Sequence, residues 1–189
     1  MTEARIPRLP VEESKAAADA AGVPDYMAEL SIFRVLLNHP ALARAVHDLL
    51  ATMLWHGALE PRLRELVIMR IGWLTACDYE WTQHWRVALG LGISEDDLLG
   101  VRDWAAHEAF RGPERAVLAA TDDVVRGGAV SAATWATCER ELGTDRAVLI
   151  ELVTAIGTWR MIATLLHSLE IPLEDGVSSW PPEGQPPSR

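Results

Sequence analysis

The sequence predicts an all-α fold of helical hairpins, with about eight helices. Apolar residues recur at three- and four-residue spacing along most of the chain. No apolar/polar alternation is paired with a turn signal such as Asn-Gly. Prolines stand where helices would start and glycines where they would end.

The 189 residues are enough for one domain with a sizeable core, and 49% hydrophobic residues make it globular. Net charge is −10 and Lys15 is the single lysine. Scattered arginines in an acidic chain argue against nucleic acid and against anionic membranes as partners. The N-terminus lacks a secretory apolar stretch, and no apolar run approaches the ~18 residues of a membrane span. A cytoplasmic location is therefore expected, with Cys77 and Cys138 as free thiols.

The elements follow in order. Residues 1–24, broken by Pro7, Pro10 and Pro24, read as an N-terminal arm with a short helix in Val11–Ala21. Met27, Leu30, Ile32, Phe33, Leu36 and Leu37 give one helix, stopped at Asn38-His39-Pro40. Pro40 opens the next, to about Trp55. Glu60-Pro61 starts a helix that is apolar nearly all round from Leu63 to Leu74, interrupted only by Arg64, Glu65 and Arg70, so it is central. Glu65, Met69 and Gly72 share one line, and Gly72 leaves room for a neighbouring helix. A helix from about Ala76 to Gly90 follows. Ser94 starts 94–105 with a capping-box-like pattern, Gly112-Pro113 starts 113–126, and Ser131 caps 132–142. Thr144 caps a helix to about Ile156, with a further stretch through Leu169. The single domain thus spans 25–171. Residues 172–189 hold five prolines and read as a mobile tail, in which Trp180 is a candidate to dock, for instance on a neighbouring subunit. A faint internal repeat relates Glu65-Leu66-Val67 to Glu151-Leu152-Val153. Each copy is followed by a glycine and a tryptophan, as in two hairpins about a pseudo-two-fold axis.

Chemistry concentrates in Leu63–Gly92. Cys77, Glu80 and His84 are i, i+3 and i+7, within an arc of roughly 60° on a helix, and Ala88 continues the stripe. Cys77 falls in the expected first turn, where the helix dipole favours a thiolate, while Asp78 and Glu80 oppose one. Glu65 in an apolar helix needs a partner, and Arg64, Arg70 and the Glu80/His84 stripe are the choices. Trp73, Tyr79, Trp81 and Trp85 read first as packing; Trp73, Trp81 and Ala88 are also candidates to line a pocket. Cys77, Glu80 and His84 could offer S, O and N donors to a metal, but such sites more often draw pairs from two helices. No metal and no cofactor are expected.

This stretch resembles the superfamily that unites carboxymuconolactone decarboxylases with the AhpD-like alkyl hydroperoxidases. In its peroxidase branch a glutamate precedes a Cys-x-x-Cys pair, and a histidine follows the second cysteine by four. Glu65, Cys77 and His84 match those positions, and Glu80 stands where the second cysteine would be. The resemblance implies an all-α fold and a homo-oligomer (dimer, trimer or hexamer). Without a second cysteine, Cys77 has no local partner to resolve a sulfenic acid. The decarboxylase branch needs no cysteine pair. Glu65, Glu80 and His84 suit proton transfer, with His84 as acid/base. The expectation is a cofactor-free enzyme of the decarboxylase class, acting on a small carboxylated or lactone metabolite. The alternatives are a thiol-dependent peroxidase or reductase at Cys77, and a non-catalytic oligomeric helical module. Arg64, Arg70 and Arg86 are the nearby candidates to hold a substrate carboxylate.

Overall fold

The computed structural model describes residues 4–188; residues 1–3 of the expected arm and residue 189 of the tail lie outside it. Among the described residues it contains ten α-helices, one 3-10 turn and no strand. The helices are α1 Val11–Ala21, α2 Asp25–Ala28, α3 Ser31–Leu36, α4 Pro40–Trp55, α5 Pro61–Leu74, α6 Asp78–Gly90, α7 Glu95–Gly100, α8 Gly112–Gly127, α9 Ala132–Leu142 and α10 Arg146–Ser168.

The chain divides into two compact units, Met1–His56 with Thr164–Val177, and Gly57–Ala163 with Ser178–Arg189. That division differs from an arm, a single domain and a tail. In the first unit the N-terminal residues are woven into the helices that follow. Leu9 and Arg34 exchange two hydrogen bonds, and Ser14 Oγ donates to the Ala28 carbonyl. The single helix expected after Pro24 is two, because Leu30 is extended between α2 and α3. The break is held from outside: Ser31 N–H donates to Glu174 Oε1 at 2.8 Å, which caps α3.

In the second unit α5 pairs with α6, α8 pairs with α9, and α5 packs on α8. Every residue of α5 from Leu63 to Gly72 is buried, as its all-round apolarity requires. The turn out of α5 differs by two residues from the expected start of the next helix. Ala76 N–H reaches the Trp73 carbonyl and Cys77 N–H the Gly72 carbonyl, with Ala76 at φ +52°. This is a Schellman ending with alanine in the left-handed position. It makes Cys77 the N-cap of α6 rather than a first-turn residue.

The stretch expected as one helix over 94–105 is α7 followed by a 3-10 turn at Val101–Asp103; Ser94 Oγ caps α7 at Asp97 N–H. The last helix is continuous for 23 residues, where a division near Ile156 was expected. Its start is held by Asp145, whose carboxylate accepts from Ala147 N–H. By length and composition this helix could cross a membrane. Its stripe of Leu152, Ala155, Ile156, Trp159, Ile162 and Ala163 is buried, as in the core helix of a folded protein. The two copies of the sequence repeat therefore differ: the first ends at a turn after Leu74, the second runs on inside one helix.

The proline-rich end does not extend away from the second unit. Trp180 is 7% exposed and stacks near Trp81 and Trp73, with ring centroids at 6.0 and 6.2 Å. The Trp180 backbone N–H donates to Asp78 and Thr82, Ser179 Oγ donates to Asp78, and Trp81 Nε1 donates to the Pro181 carbonyl at 2.7 Å. Arg102 lies over Trp73 and Trp81 and pairs with Glu183. The docking surface for Trp180 is the first turns of α6 in its own chain.

A Cβ on Gly72 would sit 3.1 Å from Trp81 N and 3.5 Å from Glu80 Cβ. Gly72→Val should therefore force α5 and α6 apart and cost about 1–3 kcal/mol in urea unfolding. An unchanged midpoint would mean that the two helices do not depend on this close approach.

Candidate active site

Glu65 is wholly buried on α5, and both of its oxygens are held. Oε1 accepts from Arg64, at 3.2 Å from Nε and 3.1 Å from Nη2, and Oε2 lies 2.8 Å from His84 Nδ1. Neighbouring Arg64 supplies the counter-charge that a carboxylate in an apolar helix needs. His84 lies two turns into α6 and faces Glu65 because Gly72 lets α6 approach.

The other His84 nitrogen fixes the tautomer. Trp159 Nε1 lies 3.1 Å from His84 Nε2, and an indole N–H can only donate. Nε2 is therefore the acceptor, and Nδ1 carries the proton donated to Glu65. Burial pulls the imidazole pKa down, but the Glu65 carboxylate beside Nδ1, helped by Glu80, outweighs this and leaves it raised.

Glu80 lies one turn before His84, with Oε2 3.6 Å from His84 Nε2, while its Oε1 is buried without a partner. Burial pushes its carboxyl up to about 7; Glu65 adds to the shift and His84 opposes it. Glu80 changes charge near neutrality, the range in which general acids and bases work, and the raised His84 pKa favours the imidazolium beside it.

Cys77 is nearly enclosed, at 2% exposure. Burial drives its thiol far above the ordinary range, and Glu80 and Asp78 push the same way, against the N–H groups of Glu80 and Tyr79 that favour a thiolate. The expectation of help from the helix dipole is thus outweighed by desolvation. Cys138 is also free and buried; its Sγ points at the Ala116 carbonyl at 3.6 Å.

The structure brings Glu65, Glu80 and His84 together, with Cys77 at the head of the same helix. It engages the expected pocket-lining residues differently. Trp73 and Trp81 make their ring contacts with each other, with Trp180 and Arg102, and, for Trp81, with Trp85; Ala88 is buried. Arg70 is spent on Asp122 and on the carbonyls of Val101 and Arg102, and exposed Arg86 donates to Gln83. Of the site side chains only His84 reaches the surface appreciably, at 14% against 0% for Glu65 and 3% for Glu80. Trp159 was not among the sequence candidates. Its signal was its place on the buried stripe of α10, where an indole N–H must find an acceptor. Among the described residues no group of three His, Cys, Asp or Glu side chains is arranged to hold a metal ion.

The all-α helical-hairpin fold is AhpD-like. Residues 40–123, which contain Glu65, Cys77, Glu80 and His84, match the Carboxymuconolactone decarboxylase family. The segment that bears the site thus matches the carboxymuconolactone decarboxylase family, and the fold of the chain is AhpD-like. Similar solved folds include the alkylhydroperoxidase AhpD core of a peroxidase-related protein from Ralstonia eutropha JMP134, with TM-score 0.72 and 18% identity over 93% of this chain and 94% of that one. A peroxidase-related protein from Silicibacter sp. TM1040 has TM-score 0.70 and 12% identity over 92% and 90%. The debrominase Bmp8, in a cysteine-to-alanine form in complex with 2,3,4-tribromopyrrole, has TM-score 0.67 and 14% identity over 87% and 86%. No curated protein sequence matches the chain.

Two measurements test the electrostatics. Iodoacetamide at pH 8 should leave Cys77 unmodified in the native protein and label it in urea; rapid native labelling would contradict a buried, protonated thiol. Glu80 holds its proton more tightly folded than unfolded. The stability it contributes is therefore present below about pH 4.5 and lost as the pH rises through about 7. Relative to Glu80→Gln, the protein should lose on the order of 2–3 kcal/mol between pH 4.5 and 8 in urea unfolding. Parallel pH profiles for the two proteins would refute it.

Proposed function

We propose that this protein is a cofactor-free acid–base enzyme of the carboxymuconolactone decarboxylase type. Its substrate is a small carboxylated or lactone metabolite, which it decarboxylates or converts by a related proton transfer. The observation that carries this reading is the Glu65–His84 hydrogen bond at 2.8 Å, with the second imidazole nitrogen on the one site side chain that reaches the surface.

In this reading His84 Nε2 is the base. It takes a proton from the substrate, and the Glu65 carboxylate stabilises the imidazolium through Nδ1–H. In a decarboxylation the electrons of the breaking C–C bond pass to the substrate's conjugated carbonyl as carbon dioxide leaves. His84 or protonated Glu80 then returns a proton to carbon. Glu80 Oε1, buried and without a partner, is the group best suited to hold a substrate oxygen.

A thiol-dependent peroxidase or reductase at Cys77 is the second reading. The two peroxidase-related proteins of similar fold favour it. The enclosed, protonated thiol and Glu80 at the second cysteine position weigh against it. We also propose a homo-oligomer, supported by the exposed apolar residues Ile150, Val153 and Met161 along one side of α10.

Carbon dioxide release from a panel of small carboxylated lactones tests the leading reading. His84→Ala and Glu65→Gln should each lower turnover about 10²–10⁴-fold, and Cys77→Ser should leave it within a few-fold. Peroxide turnover with an external thiol that disappears in Cys77→Ser would instead establish the second reading. If no variant alters any measurable turnover, the protein is a non-catalytic module.

A further inference from the structure

We propose that Trp159 is a positioning residue for His84. Its indole N–H occupies the Nε2 lone pair in the resting site and releases it when that nitrogen takes a proton, so the two side chains change state together. The catalytic meaning of this coupling rests on the acid–base reading above; the coupling itself rests on geometry.

Trp159 is 2% exposed, and its ring meets the imidazole edge-to-face, with centroids 5.8 Å apart at 82°. The 3.1 Å contact from Nε1 to Nε2 requires a bare lone pair on His84. Once Nε2 carries a proton, two N–H groups face each other across that contact, and the hydrogen bond is gone. An alternative acceptor is close on His84's own helix: Glu80 Oε2, 3.6 Å from Nε2. A small ring rotation toward Glu80 satisfies the new N–H and frees the indole. The other charged groups facing His84 are Glu65 and Arg64 on α5, and Glu65 keeps Nδ1 as the pivot of that rotation.

The arrangement holds a general base in its correct tautomer while denying its lone pair to stray water. A substrate must displace the indole N–H to reach Nε2. The released N–H then stands beside the reacting atoms as a donor for a substrate oxygen. Trp159 is thus a third anchor of the imidazole, after Glu65 and α6 itself, supplied by a helix 75 residues further along the chain.

The test uses the full-length protein, labelled with nitrogen-15, and needs no substrate. The Trp159 indole N–H resonance and the His84 ring nitrogens are followed by NMR across the pH range. The indole resonance should lose its hydrogen-bonded shift with the same midpoint at which His84 protonates. Below that midpoint Nε2 should read as protonated, and above it as a bare acceptor. In Trp159→Phe, which keeps a ring but removes the donor, the His84 pKa should rise by about half a unit to one unit, a three- to tenfold gain in proton affinity. An indole resonance that stays fixed while His84 titrates overturns the proposal. So does a His84 pKa that is unchanged or lower in a folded Trp159→Phe protein. If that variant does not fold, the wild-type titration decides alone. The acid–base reading fails elsewhere, through full turnover in His84→Ala, and leaves these resonances as described.

Discussion

The second unit is built around one buried carboxylate. Glu65 sits on a helix that is buried continuously from Leu63 to Gly72 and is itself shielded entirely from solvent. A charge there is tolerable only if both oxygens are met by hydrogen-bond donors and a counter-ion is near. Arg64 meets one oxygen and His84 the other. Because His84 comes from a different helix, satisfying Glu65 also fixes where α6 lies against α5. Gly72 makes the approach feasible, since a side chain there would meet the backbone at Trp81.

The chemistry follows from the same constraint. With Nδ1 committed to Glu65, His84 has one nitrogen left for work, and Trp159 holds it from the opposite side. Glu80 occupies the place on α6 where a second thiol would complete a redox pair, and burial makes it an acid near neutrality. Cys77, capping the helix next to it, is kept as a thiol by desolvation and by that carboxylate. A glutamate at position 80 thus acts twice: it adds a group that titrates near neutrality and it disfavours the thiolate. The C-terminal residues brace the adjacent side of α6 through Asp78, Trp81 and Thr82, so the segment bearing the site is gripped on two faces.

Much of this was legible in the residue order. The helical class, the centrality of Leu63–Leu74 and the value of Gly72 came from periodicity and from the cost of a buried charge. So did the grouping of Glu65, Glu80 and His84. Local signals failed where distant groups intervened. The break between α2 and α3 is held by Glu174, over 140 residues away. Trp180 is seated by Asp78 and Trp81 although two prolines follow it directly. Trp73 and Trp81, apolar and near the site in sequence, turn toward that tryptophan instead.

The sequence by itself determined which groups are available and that one of them, Glu65, had to be paired, because periodicity and desolvation are properties of a single segment. It also determined that position 80, three residues after Cys77, carries a carboxylate in place of a thiol. Only the tertiary structure decided which arginine and which nitrogen satisfy Glu65, that Cys77 is enclosed, and that Trp159 completes the imidazole's surroundings. Hydrogen bonds and burial of this kind join α5, α6 and α10, and they depend on distances that no single helix contains.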